Sequence, residues 1–355
     1  MHRLQRVPPG TVIYDLQVPD TSGLAEPLHR HKMDVYIPSG TVTRCLVGLG
    51  GAGSDKWRFA RKLKIGLDKP KTPQRIPVRS VNWSLLTKMK AMIIIPQAQA
   101  PIGVDPFWGA GNNPYNPDDV DTRSTKNPNG VTTWRNQYMI SGVDDLQMLK
   151  NLSSYIDDHW DVQKVLFGHS NGAMMTNRVW WEAPNAFAAY AAAAGNLAAH
   201  YDDPGVVANA AWKPMFTRTG RKDTIIDVLG GPQANSPMTD HTFDANYLQN
   251  QTQLSKAHVS FPTLSYIWGS CREYQFRRAG IGAPLSAPIT STSSAGGVTT
   301  AVHVGTQTRW DSPNKQQRLE FLSDADHNTV KDRSVSGRFY IADVVQWCQD
   351  WQQML

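Results

Sequence analysis

Val162-Gln163-Lys164-Val165-Leu166-Phe167 runs into Gly168-His169-Ser170-Asn171-Gly172, and Ala173-Met174-Met175-Thr176-Asn177-Arg178-Val179-Trp180-Trp181 follows. The first six residues are rich in β-branched and aromatic side chains, the pattern of a buried strand, with Lys164 to Phe167 leading into the turn. The last nine hold no Gly or Pro, and neither occurs again until Pro184, so they read as a helix. G-x-S-x-G at a strand-to-helix turn strains the backbone of its central serine and lifts the hydroxyl clear of the sheet edge. Glycines two residues to either side let strand and helix pass closely without Cβ clashes. Ser170 is therefore the first candidate nucleophile, and the rest of the chain can be asked whether it supplies the partners such a serine needs.

Working outward, apolar strand patterns alternate with helical ones. Strands are expected at Thr43 to Leu49, Ala91 to Pro96, Phe187 to Ala194, Lys213 to Thr217 and Arg318 to Leu322. Helices are expected at Asp55 to Lys64, Val143 to His159 and Ala342 to Trp351. The second of these places Val143, Leu146, Leu149, Leu152 and Ile156 at three- and four-residue spacing, one apolar face. The alternation predicts an α/β fold with a mostly parallel central sheet flanked by helices. The 355 residues, 40% of them hydrophobic, can form a single domain that includes long insertions. Residues 66–90, 100–135 and 230–313 break the alternation and read as insertions, lids or substrate loops above the sheet's carboxyl edge. The last contains the low-complexity run Ser286 to Thr300.

No apolar run approaches the roughly 20 residues that span a bilayer, so no membrane span is expected. Met1 to Gly10 carries charge without an apolar centre, and no signal peptide is visible. That suits a cytoplasmic protein, one released by a non-classical route, or one whose leader lies outside this sequence, and the residues do not choose among the three. Three cysteines, Cys45, Cys271 and Cys348, are too few for a disulfide framework or a zinc site. Cys45 reads as a core residue, and a Cys271–Cys348 bridge stays open. The net charge of +6 is unevenly spread. Lys56, Arg58, Arg61, Lys62, Lys64, Lys69, Lys71, Arg75, Arg79, Lys88 and Lys90 face one acid, Asp68. This reads either as a solvated helix face and loop or as a surface for an anionic polymer or membrane. Nothing points to a nucleic-acid partner.

A serine needs an imidazole to take its proton and a carboxylate to orient that imidazole. Met215-Phe216-Thr217 leads to Gly220-Arg221-Lys222-Asp223, which puts Asp223 in the loop just past a strand, with Asp227 in reserve. The last strand runs into Ser323-Asp324-Ala325-Asp326-His327, making His327 the candidate base. His303 precedes that strand and is the near rival. The chain order Ser, acid, His suits a serine at such an elbow. An oxyanion would be met by the backbone N–H of Asn171 and by that of Ala52 or Gly51, in the glycine-rich loop Leu49-Gly50-Gly51-Ala52-Gly53-Ser54. Trp108, Trp134 and Trp310, in irregular stretches, are candidates for lining an aromatic cleft or gripping a polymer chain.

Gly48-Leu49-Gly50-Gly51-Ala52-Gly53 also matches G-x-G-x-x-G, a dinucleotide-binding signature. The next good strand ends Ile95-Pro96-Gln97 without the acid that would hold a ribose, and the cofactor reading leaves Ser170, Asp223 and His327 unexplained. His29-x-His31 is a weak metal signal, and no metal is expected.

Gly168 to Met175, Glu182 to Ala189, Ala194-Gly195-Asn196, Gly142 to Leu146 and Gly220 to Ile226 together resemble the polyhydroxyalkanoate-depolymerase and feruloyl-esterase group of α/β-hydrolases. The resemblance runs from about Val35 onward and is most specific between Gly142 and Asn196. It departs at Gly50-Gly51, where the group carries His-Gly, and at Asp324-Ala325-Asp326-His327, where the group is glycine-rich. It implies hydrolysis of carboxylic esters, of polyester, feruloyl or acetyl type, without a cofactor. The alternatives are a serine peptidase of the prolyl-oligopeptidase type and a non-catalytic binding or particle protein on the same fold.

Overall fold

The computed structural model describes residues 10–19, 30–51, 54–69, 74–98, 145–195, 213–220, 223, 289–293, 305–311, 315–322, 325–328 and 340–354. Their strands join into one ten-stranded sheet, ordered β1-β2-β4-β3-β5-β6-β7-β10-β9-β8. In chain order these are β1 (Thr11–Pro19), β2 (Arg30–Ile37), β3 (Arg44–Leu49), β4 (Ala91–Pro96), β5 (Gln163–His169), β6 (Ala189–Ala193), β7 (Met215–Gly220), β8 (Ile289–Ser293), β9 (Gly305–Asp311) and β10 (Gln317–Leu322). The six from β4 to β10 in the sheet order are mutually parallel. Antiparallel pairs close both edges: β1 and β2 on one side, β9 and β8 on the other.

The helices are α1 (Lys56–Lys62), α2 (Trp83–Met89), α3 (Asp145–His159), α4 (Asn171–Glu182) and α5 (Tyr340–Gln352). They bury two apolar layers, one on each face of the sheet. Met148, Leu149, Leu152 and Ile156 of α3 pack with Val47, Met92 and Leu166 on one face. Val344, Val345 and Trp347 of α5 pack with Leu46, Ile93, Phe167 and Phe216 on the other. The alternation of Leu46 and Val47 between the two layers is the period-two geometry of a strand covered on both sides.

Most predicted elements lie within two residues of their expected ends. The stretch 66–90 carries more regular structure than expected. Gly66 bridges Val81, and Trp83–Met89 is a helix capped by the Asn82 side chain, which accepts from Leu85 N–H. Strand β8 lies inside the run read as low complexity; its Thr-rich sequence suits an extended, polar edge. Trp310 belongs to β9, paired with Leu319, and not to an irregular segment. Residues 100–135 and most of 230–313, with Trp108 and Trp134, lie outside the described residues.

The basic stretch is partly neutralised from within. Lys56 is buried and donates to Asp34 Oδ1 at 2.6 Å and to Asp15, while Arg75 also reaches Asp15. Arg61 pairs with Asp68 at 2.9 Å. The Lys56 pairs tie α1 to the β1–β2 hairpin, so part of the positive run is internal structure, while Arg58, Lys62, Lys64, Arg79, Lys88 and Lys90 are exposed. Cys45 and Cys348 are buried free thiols, and burial pushes the Cys348 thiol up to about 12. Cys271 lies outside the described residues. Among the described residues no helix is long and apolar enough to cross a membrane.

Candidate active site

Ser170 is the pivot between β5 and α4, with φ 56° and ψ −125°. A side chain rarely adopts that backbone, and the two flanking glycines show why this one is held there. A Cβ on Gly168 would overlap the Gly172 carbonyl, and one on Gly172 would overlap the Leu49 carbonyl of β3. Strand, turn and helix are thus packed main chain against main chain, which leaves the turn no room to relax. Ser170 N–H donates to Ala193 O of β6 at 2.9 Å, and Ser170 O accepts from Met174 N–H at 3.0 Å, the first turn of α4. A strained serine on a strand–turn–helix elbow above a mostly parallel sheet is the arrangement that defines one fold. The chain has the α/β-hydrolase fold.

The sheet order brings the remaining candidates to the same edge. β7 and β10 are neighbours, although β8 and β9 separate them in the chain. Loops leaving their carboxyl ends therefore start side by side, and a Cβ on Gly220 would overlap the Ala325 carbonyl across the gap. Asp223 follows β7 and is fully buried; His327 follows β10 and is 8% exposed. His327 Nδ1 lies 2.9 Å from Asp223 Oδ2, and His327 Nε2 lies 2.8 Å from Ser170 Oγ. An ionised carboxylate only accepts, so Nδ1 carries the proton and Nε2 accepts from the serine hydroxyl. The three residues form one directed hydrogen-bonded chain from hydroxyl to imidazole to carboxylate.

Asn171 is the first residue of α4 and is buried. Gly51 closes in from the β3 loop: a Cβ built on it would stand 3.0 Å from Ser170 Cβ. Two of the three oxyanion candidates therefore flank the serine, while Ala52 lies outside the described residues. So do the reserve acid Asp227 and the rival His303. His31, half of the weak metal signal, is buried between Gln97 O at 3.1 Å and Asp145 at 3.3 Å.

One neighbour of these three residues escaped the sequence reading. His169 Nε2 lies 2.6 Å from the carbonyl oxygen of His327, and both residues are buried. Its partner is a backbone atom 158 residues away, and no side-chain pattern signals such a bond.

No protein-family model matches the chain, and no curated protein sequence does. Among solved structures, S-formylglutathione hydrolase from Staphylococcus aureus is similar at 10% identity, with 95% of this chain and 98% of that one covered and a TM-score of 0.44. A siderophore hydrolase from Aspergillus nidulans gives 10% identity, 98% coverage of both chains and 0.46. Acetyl xylan esterase from Aspergillus awamori gives 13% identity, 96% and 100% coverage and 0.42. At scores this low the likenesses add no weight to the sheet order and the elbow.

Proposed function

We propose that this protein is a serine hydrolase that cleaves carboxylic esters through an acyl-enzyme. The observation that carries the reading is the unbroken hydrogen-bonded chain Ser170–His327–Asp223, seated on a strained elbow. In this reading His327 Nε2 takes the Ser170 proton as Oγ attacks the acyl carbonyl, and Asp223 steadies the imidazolium. The N–H groups of Asn171 and of Gly51 or Ala52 receive the developing oxyanion. Collapse expels the alcohol, which takes the proton back from His327. A water then repeats the sequence on the acyl-serine and releases the acid.

Within that class, the similarity of Gly168 to Met175 and Gly220 to Ile226 to the depolymerase and feruloyl-esterase group favours a polyester, feruloyl or acetyl ester as substrate. A polymeric substrate would also suit the solvent-facing part of the basic stretch if the polymer is anionic.

The test is to treat wild type and Ser170→Ala with a fluorophosphonate probe, then assay a short p-nitrophenyl ester and the matching anilide. Labelling and ester turnover are expected in wild type and absent from the variant, with turnover lower by about 100,000-fold or more. Faster turnover of the anilide than of the ester would turn the reading to a peptidase. Folded wild type that neither labels nor turns over would overturn it.

A further inference from the structure

We infer that His169, the residue before the serine in G-x-S-x-G, is a positioning residue that holds the main chain of His327 so that its imidazole keeps both hydrogen bonds. The inference rests on the hydrolase reading, because the placement of His327 matters only if His327 is the base.

A carbonyl oxygen can only accept, so the 2.6 Å contact requires Nε2–H of His169 to donate to His327 O. The donor is rigid. His169 is the last residue of β5, paired with Ala193 in β6, and its successor Ser170 is held by the same strand through Ala193 O. The acceptor sits on a short turn that carries local bonds of its own. Ala325 N–H reaches Leu322 O at 3.4 Å, and Asn328 N–H reaches the Asp326 side chain at 2.8 Å. Those contacts shape the turn from within, and in this inference a bond to the strand beneath fixes its height above the nucleophile. His169 sets that height, because it comes from the strand that carries Ser170.

The result is a ring gripped at three points. Asp223 holds Nδ1, Ser170 meets Nε2, and His169 holds the backbone from which the ring hangs. The two imidazoles also meet in a tilted ring contact, with centroids 5.0 Å apart and planes at 50°, which packs the same pair that the hydrogen bond joins. On its other side His169 abuts the oxyanion loop: a Cβ on Gly51 would be 3.5 Å from Nδ1. One side chain therefore lies between the loop that would bind the oxyanion and the loop that presents the base. A gap of this length is also what glutamine spans with its terminal amide nitrogen, whereas leucine fills the volume and offers no donor.

The experiment compares wild type, His169→Leu, His169→Gln and His169→Asn by kcat and KM on a p-nitrophenyl ester, by fluorophosphonate labelling rate and by Tm. The expected result is a loss of about 100-fold in kcat for His169→Leu with KM within about twofold, since a base misplaced by an ångström costs that much. His169→Gln, which restores the donor, is expected to recover most of the loss. Wild-type kcat in His169→Leu, or equal losses in the Leu and Gln variants, overturns the inference while wild-type labelling leaves the hydrolase reading standing. If His169→Leu does not fold, Gln and Asn decide: equal activity in the two overturns the inference, because the shorter amide cannot reach the carbonyl. Wild type that fails to label brings down both.

Discussion

Arg218 on β7 and Glu320 on β10 face each other in register across paired strands, joined by hydrogen bonds of 2.8 and 2.6 Å and shielded from solvent. Asp343 of α5 takes a third bond from the same guanidinium at 2.6 Å. Burial works to lower the Arg218 pKa, and the two carboxylates overcome it and hold the guanidinium charged. The cluster sits two residues before the ends of the strands that carry the Asp223 and His327 loops. Arg218→Met would take from two buried carboxylates the guanidinium they share and is expected to cost about 3–5 kcal/mol in urea unfolding. A loss under about 1 kcal/mol would mean the carboxylates protonate or find water at little cost.

Gly172→Ala is expected to destabilise more than most single substitutions, because its Cβ would meet the carbonyl of Leu49, the last residue of the central strand β3, and that of Gly50 just beyond it. The expected loss is about 3 kcal/mol or more. Tm and soluble yield measure it, and a variant as stable as wild type would mean the elbow can open.

Asp223→Asn keeps the shape of the triad and removes the acceptor that fixes the His327 tautomer. If the hydrolase reading is right, kcat falls by about 10,000-fold with little change in KM. Steady-state kinetics on the p-nitrophenyl ester decide, and a loss under about tenfold would remove Asp223 from the mechanism.

The hydrogen bond from Lys56 holds the Asp15 carboxyl below its ordinary range, helped by the charges of Lys56, Arg75 and Lys32 against the opposing effect of burial. Because the native pKa lies below the unfolded one, the contribution is present above the unfolded value and is lost as pH falls through the native one. Asp15→Asn is therefore expected to flatten the stability curve below about pH 4, measured by urea unfolding across pH. An unchanged acid limb would show that the pair with Lys56 adds nothing to stability.

Cys45 and Cys348 are buried, and burial raises both thiols. Native protein is expected to give at most one thiol reacting promptly with a disulfide reagent, and three after unfolding in guanidinium. Prompt reaction of two in native protein would mean that the packing over Cys45 or over Cys348 opens readily.

The parts of the fold that were legible are those whose burial is written locally. β3, β4 and β5 are short apolar runs, and α3 shows its buried stripe at helical spacing. The β1–β2 hairpin was missed for a physical reason: a register shift between Ile13 and Leu16, with Asp15 at φ 54°, breaks the alternation that marks a strand. β2 carries the buried Asp34, a charge that reads as surface until Lys56 arrives from another element. Helix α2 is only two turns long and ends on Lys90 in the left-handed region, where a glycine would have signalled the stop. At the site, Ser170, Asp223 and His327 could be placed because each follows a strand in a known order. His169 could not, because its partner is a main-chain atom and its spacing to that partner depends on how the whole sheet is laid.

The same spacing has a kinetic side. His327 lies 157 residues from Ser170 and 104 from Asp223, so the contacts that join them close very large loops. Closures of that size come late and slowly compared with helix formation. Helices can thus regain their circular dichroism while β10 is still apart from β7, and on the hydrolase reading a chain in that condition has a serine with no base beside it. Recovered turnover during refolding is in effect a clock for the last step of sheet assembly, and it should lag the helical signal.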